Sequence, residues 1–354
     1  MRHAVVMGTA LLAVLPLCAT TLTAQAAQRY TLSGSDVAIY NLAGTMRVEA
    51  GTGTDIVVEV TRGGSDAGKL QIATGPIGTR QTLRVIYPGD DITYPALGRH
   101  SSSTVDVRDD GTFDEDHHGW GRGHRVRISG DEGDIEAFAD LRILVPPGKK
   151  LAVHLAVGQM GATNVNGDLK LDVSSADVTA TGTRGSLVID AGSGDVRVSN
   201  VMGAIDLDTG SGNVDVTGAS GDELLIDTGS GDVTVDRAEV RTLKIDTGSG
   251  NAEASGVKAD DLKLDTGSGD VRLTLLSGGG SIDIDTGSGQ VDLTLPSTYG
   301  ADVLLDTGSG GIDLGGIELT VRKLQEDHVE GRIGDGHARL HVETGSGEIR
   351  LKKA

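Results

Sequence analysis

The residues of this chain that could do chemistry come as one repeated string and one cluster. Asp-Thr-Gly-Ser-Gly-Xaa begins at Asp208, Asp227, Asp246, Asp265, Asp285 and Asp306, with variants at Asp190 and Glu343. Asp-Thr-Gly-Ser is also the active-site string of aspartic proteases, where two carboxylates share a proton across a cleft between lobes. That chemistry needs two copies facing each other. Here the intervals from Asp190 to Asp306 are 18, 19, 19, 19, 20 and 21 residues, which stacks the copies along one edge. Stacked carboxylates about 4.8 Å apart repel by roughly 1 kcal/mol in water and about 3.5 kcal/mol at an effective dielectric of 20. Either they face solvent and accept hydrogen bonds from turn amides, or cations sit between coils. Calcium, which takes carboxylate and carbonyl oxygens in flexible geometry, is the cation such a ladder would hold.

The ligand spacing weighs against calcium. Calcium-binding rolls place Asp two residues past the last Gly of their repeat, whereas in Gly192-Ser193-Gly194-Asp195 it follows directly. The second acid column also changes to Asn213, Asn251, Gln290 and Gly311. A repeated turn explains every copy without a cofactor, because Gly tolerates positive φ and Asp closes Asx-type turns. Alternate hydroxyls, Thr209 with Ser211 through Thr307 with Ser309, could line a flat ice- or glycan-binding face, but the glycines beside them point to a corner. The cluster is Asp114, Asp116, His117, His118 and His124, residue types that together bind zinc, nickel or copper. Its glycines and Arg122 and Arg125 equally suit a solvated loop.

The elements that position these groups show in the columns around each string. Leu187 and Ile189, Ile205 and Leu207, Leu224 and Ile226, and their successors to Val303 and Leu305 precede the leading acid with period-two alternation, the mark of a strand with one buried face. Val196 and Val198 through Ile312 and Leu314 follow it as a second inward strand. Seven residues separate the buried positions on either side, an odd number, so Gly-Ser-Gly must break the pleat. A weaker third column runs Val201, Ala219, Ala238, Val257, Leu276, Ile317. A period near twenty with two or three short sides predicts an all-β, single-chain parallel β-solenoid of 18–21 residues per coil.

Three segments follow from this: a signal peptide over 1–26, strand-rich opening coils over 27–150 with a loop or disordered insertion near 88–134, and regular solenoid repeats over 151–354. The opening coils include Val48 to Val58, read as the same unit with one inserted residue. The terminal Ile349-Arg350-Leu351-Lys352-Lys353 reads as an edge strand protected by charge. The basic start, the apolar Ala4 to Leu17 and Ala24-Gln25-Ala26 before a cleavage point make the signal pattern. No later segment reaches the roughly twenty apolar residues of a membrane-spanning helix. Cys18, the only cysteine, lies inside that signal, so the mature chain has no thiol, which suits an oxidising periplasm or exterior. Fifty-one acidic against thirty-one basic residues give a net charge of −20, which argues against a nucleic-acid partner.

Signal segment, strand-rich opening, Leu141-Arg142-Ile143-Leu144-Val145-Pro146-Pro147-Gly148, repeated Gly-Ser-Gly-Asp-Val units, and Gly331-Arg332-Ile333-Gly334-Asp335-Gly336 before Thr344-Gly345-Ser346-Gly347-Glu348-Ile349 resemble the bacterial adhesin-type β-strand-repeat proteins, also called the toastrack-type domain of unknown function. The resemblance implies a β-helical, exported or cell-envelope protein, with its partner an envelope protein or a glycan. The His-rich insertion departs from the pattern. A carbohydrate-active β-helix enzyme is the rival from another class, and its mark would be a deep acidic cleft flanking residues 88–134. The residues themselves favour a non-catalytic scaffold or adhesin-like binding surface, periplasmic or at the cell surface.

Overall fold

A computed structural model describes residues 27–113, 123–131 and 133–354. The signal segment, with Asp114, Asp116, His117 and His118, lies outside the described residues. The described chain is a stack of parallel coils. Tyr40, His154, Asp172, Asp190, Asp208, Asp227, Asp246, Asp265 and Asp285 face one another strand by strand, each in register with the next. The inward columns form one aliphatic core: Leu187, Ile189, Val196 and Val198 and their equivalents in later coils are almost entirely buried. Each fully buried Val, Leu or Ile contributes about 1.5–3 kcal/mol, so the fold rests on layers of branched aliphatics. The third column is also internal at Val201, Ala219, Ala238 and Val257. It continues at Leu275, not Leu276, because a register shift follows Ala254; Leu275 is buried and Leu276 is 64% exposed.

The strings are corners, and the glycines are required by stacking as much as by torsion. At Gly212 φ is +146°, and a Cβ there would lie 2.0 Å from the Gly194 carbonyl oxygen of the preceding coil. The threonine before the first glycine turns inward: Thr247, Thr266 and Thr286 are buried and donate from Oγ1 to Gly231, Gly250 and Gly269 carbonyls at 3.3, 3.1 and 3.1 Å. These positions form the corner that their glycines indicated and not a flat face of paired Thr and Ser columns. The pleat break between the two residues sends Thr into the core while Ser211 and Ser309 stay exposed.

A second corner stands immediately before the third column, where the sequence implies another side or corner. Asn164, Asn200 and Arg237 have φ of 55, 53 and 56°, and Gly182, Gly218 and Gly256 between them have 67, 72 and 65°. Left-handed backbone favours Gly and tolerates Asn. Side chains from one coil lean over the glycine of the next: a Cβ at Gly182 would lie 2.4 Å from Asn164 Oδ1. Bulky and bare positions thus alternate.

Both ends of the stack depart from the expected arrangement. The first corner is Tyr40-Asn41-Leu42-Ala43-Gly44-Thr45, in register with His154 to Gln159. Val48 to Val58 is not a corner: the strand Asp36–Ala50 ends there and Ile56–Gly63 runs back antiparallel against Phe138–Val145 and Gln28–Leu32. At the other end the final coil is inserted. Ala338–Thr344 pairs with Val271–Thr286 on one side and Ala301–Thr307 on the other. Ile349–Lys353 likewise lies between Val291–Leu295 and Ile312–Asp313, so it is an internal strand and not the edge. The edge is Leu319–Leu324, antiparallel to His328–Ile333. It carries Arg322, Lys323 and an irregularity between Val321 and Lys323, devices that discourage pairing with another chain.

The segment 88–134 is not simply a loop. Ser102–Arg108, Gly123–Ser129, Asp91–Thr93 and Ile135–Glu136 form a separate four-stranded sheet in that order. Ile92, Tyr94, Val105, Val107, Phe113, Val126 and Ile128 are buried, and the sheet packs against the outside of the first coils. Phe113 meets Tyr40 edge-on with centroids 5.9 Å apart, and Tyr94 lies 5.5 Å from Phe138.

Candidate functional site

The leading acids form one outward column, so no two copies face each other as a protease dyad requires. Near the start the column is covered. His154 stacks on Tyr40 at 4.4 Å and its Nδ1 lies 3.4 Å from Asp172 Oδ2, which also has Lys170 at 3.4 Å. Further along, Lys244 and Lys263 stand 3.4 and 3.7 Å from Asp246 and Asp265, and His328 contacts Asp306. Lysines two residues before the acid thus offset the repulsion in several coils. Asp208 lacks such a lysine, since Asp206 occupies that place. Burial first, then the Asp227 and Asp206 carboxylates, push its carboxyl above the usual range. A raised folded-state pKa penalises the ionised form, so this group destabilises at neutral pH and ceases to do so once acid protonates it. Asp208→Asn is therefore expected to raise the urea midpoint at pH 7 and to leave it unchanged at pH 3.

The second acid column is a hydrogen-bond ladder. Asp177 Oδ1 accepts from Asp195 N at 3.0 Å, Asp195 from Asn213 at 3.1, Asn213 from Asp232 at 3.1, Asp232 from Asn251 at 2.8, and Asn251 from Asp270 at 3.0. Each rung needs an acceptor oxygen and no charge. From Asp195 onward, alternating Asn with Asp keeps the oxygen while doubling the distance between carboxylates; Asp177 and Asp195 are the one adjacent acid pair of these rungs. The Asn213 amide first, then Arg197, holds the Asp195 carboxyl below its ordinary value. Asn251→Asp would set three carboxylates in succession and is expected to cost about 1 kcal/mol per new neighbour at low salt. The loss should shrink as salt screens it, which denaturation at two ionic strengths measures.

Of the His-rich cluster proposed to bind zinc, nickel or copper, only His124 lies within the described residues. Its Nε2 is 3.4 Å from Asp90 Oδ1, and among the described residues no group of three or more His, Cys, Asp or Glu side chains is placed to hold a metal ion.

The insertion does build a cleft. Tyr94, Ala96 and Leu97 overhang the corners of the first coils, enclosing about 430 Å³ above Gly158, Gln159, Ser175, Asp177 and Ser193, with Thr45 at one end. Thr45, Gln159 and Asp177 are successive members of one column. Hydroxyl, carboxamide and carboxylate therefore stand about one strand spacing, 4.8 Å, apart. Ser193 Oγ donates to Ser175 Oγ at 3.3 Å. Asp140, behind the rim, accepts from Thr45 N at 2.8 Å. Burial, then Asp140, push the Tyr94 phenol above its ordinary value, so it remains a protonated donor. The cleft is polar but not deeply acidic, with Asp177 the one carboxylate in its lining.

No curated protein matches the chain. A crystal structure of a candidate cell adhesion protein from Clostridium sporogenes ATCC 15579 aligns over 93% of this chain and 99% of that one, at 11% identity and a TM-score of 0.22; a likeness that weak carries no argument. No helix among the described residues is long and apolar enough to cross a membrane. Residues 183–352, the regular coils with the inserted final coil, match the Toastrack family DUF4097, and the chain carries a toastrack-type domain of unknown function.

Proposed function

We propose that this chain is an exported, envelope-associated β-solenoid that works as a non-catalytic binding surface, with its ligand seated between the insertion and the first coils. The observation that carries the reading is the cleft, where the insertion overhangs corners whose side chains point outward and polar. Hydrolysis of a glycosidic bond by the usual route calls for two carboxylates about 5–9.5 Å apart across the scissile bond. The lining offers Asp177, whose Oδ1 already accepts from Asp195 N. Export rests on the signal pattern of the first 26 residues and the absence of cysteine after Cys18. The partner is an envelope protein or a glycan.

The test is retention of envelope material by the immobilised mature chain, compared with the Ala96→Trp variant. Ala96 is exposed at the cleft wall, so an indole there fills the cleft without entering a core. Retention lost in that variant is expected. Equal retention by both chains would place the binding elsewhere and defeat the reading.

A further inference from the structure

We infer that the cleft seats an uncharged saccharide unit, an inference that rests on the cleft being the binding site. Charge narrows the class first. No Lys, Arg or His is among the lining residues, and the chain carries a net charge of −20, so a uronate, sialate, sulfate or phosphate would meet repulsion with nothing to pair it. A cationic ligand finds a single carboxylate, one of whose oxygens is already engaged.

The geometry of the polar groups narrows it further. Gln159 supplies both an amide donor and a carbonyl acceptor, Thr45 a hydroxyl that does either, and Asp177 an acceptor. In a straight column whose backbones lie about one strand spacing, 4.8 Å, apart, any two neighbours stand close to the separation of alternate hydroxyls on a pyranose ring, so one ring spans two of the three. Opposite them Ala96 and Leu97, with the buried Tyr94 behind, give the apolar side that the C–H face of a sugar requires. A volume of about 430 Å³ falls within the range of small-ligand sites. Only Ser193 and Gly194 of the lining lie within residues 183–352, so the cleft is built mainly by the insertion and the opening coils.

The mature chain is screened against immobilised neutral, amino and acidic mono- to tetrasaccharides, and the best-retained one is titrated by calorimetry. Retention of a neutral saccharide is expected, with affinity little changed between about 0.05 and 0.5 M salt because no ion pair contributes. Ala96→Trp should abolish binding. Gln159→Ala, on an exposed side chain, should weaken it roughly five- to tenfold, as one hydrogen-bonding group is lost. Should the indole disturb folding, the glutamine variant decides alone. Retention confined to acidic or amino saccharides and sensitive to these variants would overturn the uncharged class while leaving the cleft as a binding site. The same holds if a protein, and no saccharide, is retained. Binding insensitive to both variants, or no retention of any envelope material, would overturn the inference and the proposed function together.

Discussion

Gly212→Ala is expected to destabilise the protein by about 3–5 kcal/mol, whereas Ser211→Ala, one residue away, should change it by less than about 0.5 kcal/mol. The alanine Cβ would sit 2.0 Å from the Gly194 carbonyl oxygen, and that oxygen is backbone and cannot swing aside. Relief requires the two coils to separate, which opens ladder hydrogen bonds such as Gly194 N to Ser211 O. Left-handed strain at φ +146° adds to the collision. Ser211 points to solvent and its side chain takes no part in the ladder. Urea denaturation of both variants reads the difference. Near-equal midpoints would show that the corner relaxes without loss. Because each coil contacts only its neighbours, hydrogen exchange should rise first in the coils on either side of Gly212.

Truncation after Gly336 is expected to be more severe than loss of a terminal strand usually is. It removes Leu340, Val342, Ile349 and Leu351, all buried, and with them the strands that, among the described residues, lie between the coil ending at Leu295 and the coil of residues 301–313. Those two coils then face each other across a missing layer. Four aliphatic side chains account for about 6–12 kcal/mol of burial, beside the backbone ladder on both sides. The expected result is loss of protection throughout the region from Val271 onward, with the coils before it retained, read by hydrogen exchange on the truncated chain. Frayed ends alone, with full protection of Val271–Thr286, would contradict the inserted arrangement.

The coils were legible because their columns repeat: Leu243, Ile245, Val233 and Val235 declare their side by parity. The need for glycine at the corner was legible too, since the odd spacing demanded a pleat break. The order of the last coils was not. Parallel strands with the same inward pattern fit between any two neighbours, and nothing local in Leu340 or Leu351 says that they lie between earlier coils. The first corner was hidden because Tyr40, Asn41 and Leu42 replace the acid, threonine and glycine, leaving Gly44 as its one marker. Asp91–Thr93 and Ile135–Glu136 are too short to show periodicity, so the insertion read as loop. The cleft was out of reach for a similar reason. Thr45, Tyr94, Gln159 and Asp177 come from four separated segments, and only the docking of the insertion brings them together.

The Asp/Asn ladder and the Asn/Gly corner share a property with consequences for how such an array can lengthen. Asp195, Asn213, Asp232, Asn251 and Asp270 alternate, and so do Asn164, Gly182, Asn200 and Gly218. The chain repeats every coil, but its side-chain contacts repeat every second coil. Duplicating or deleting a single coil within this run would set like on like in both columns, either carboxylate on carboxylate with a crowded corner or Asn on Asn with an empty one. Gain or loss of two coils together would leave both alternations intact, so the unit by which this solenoid grows is the pair.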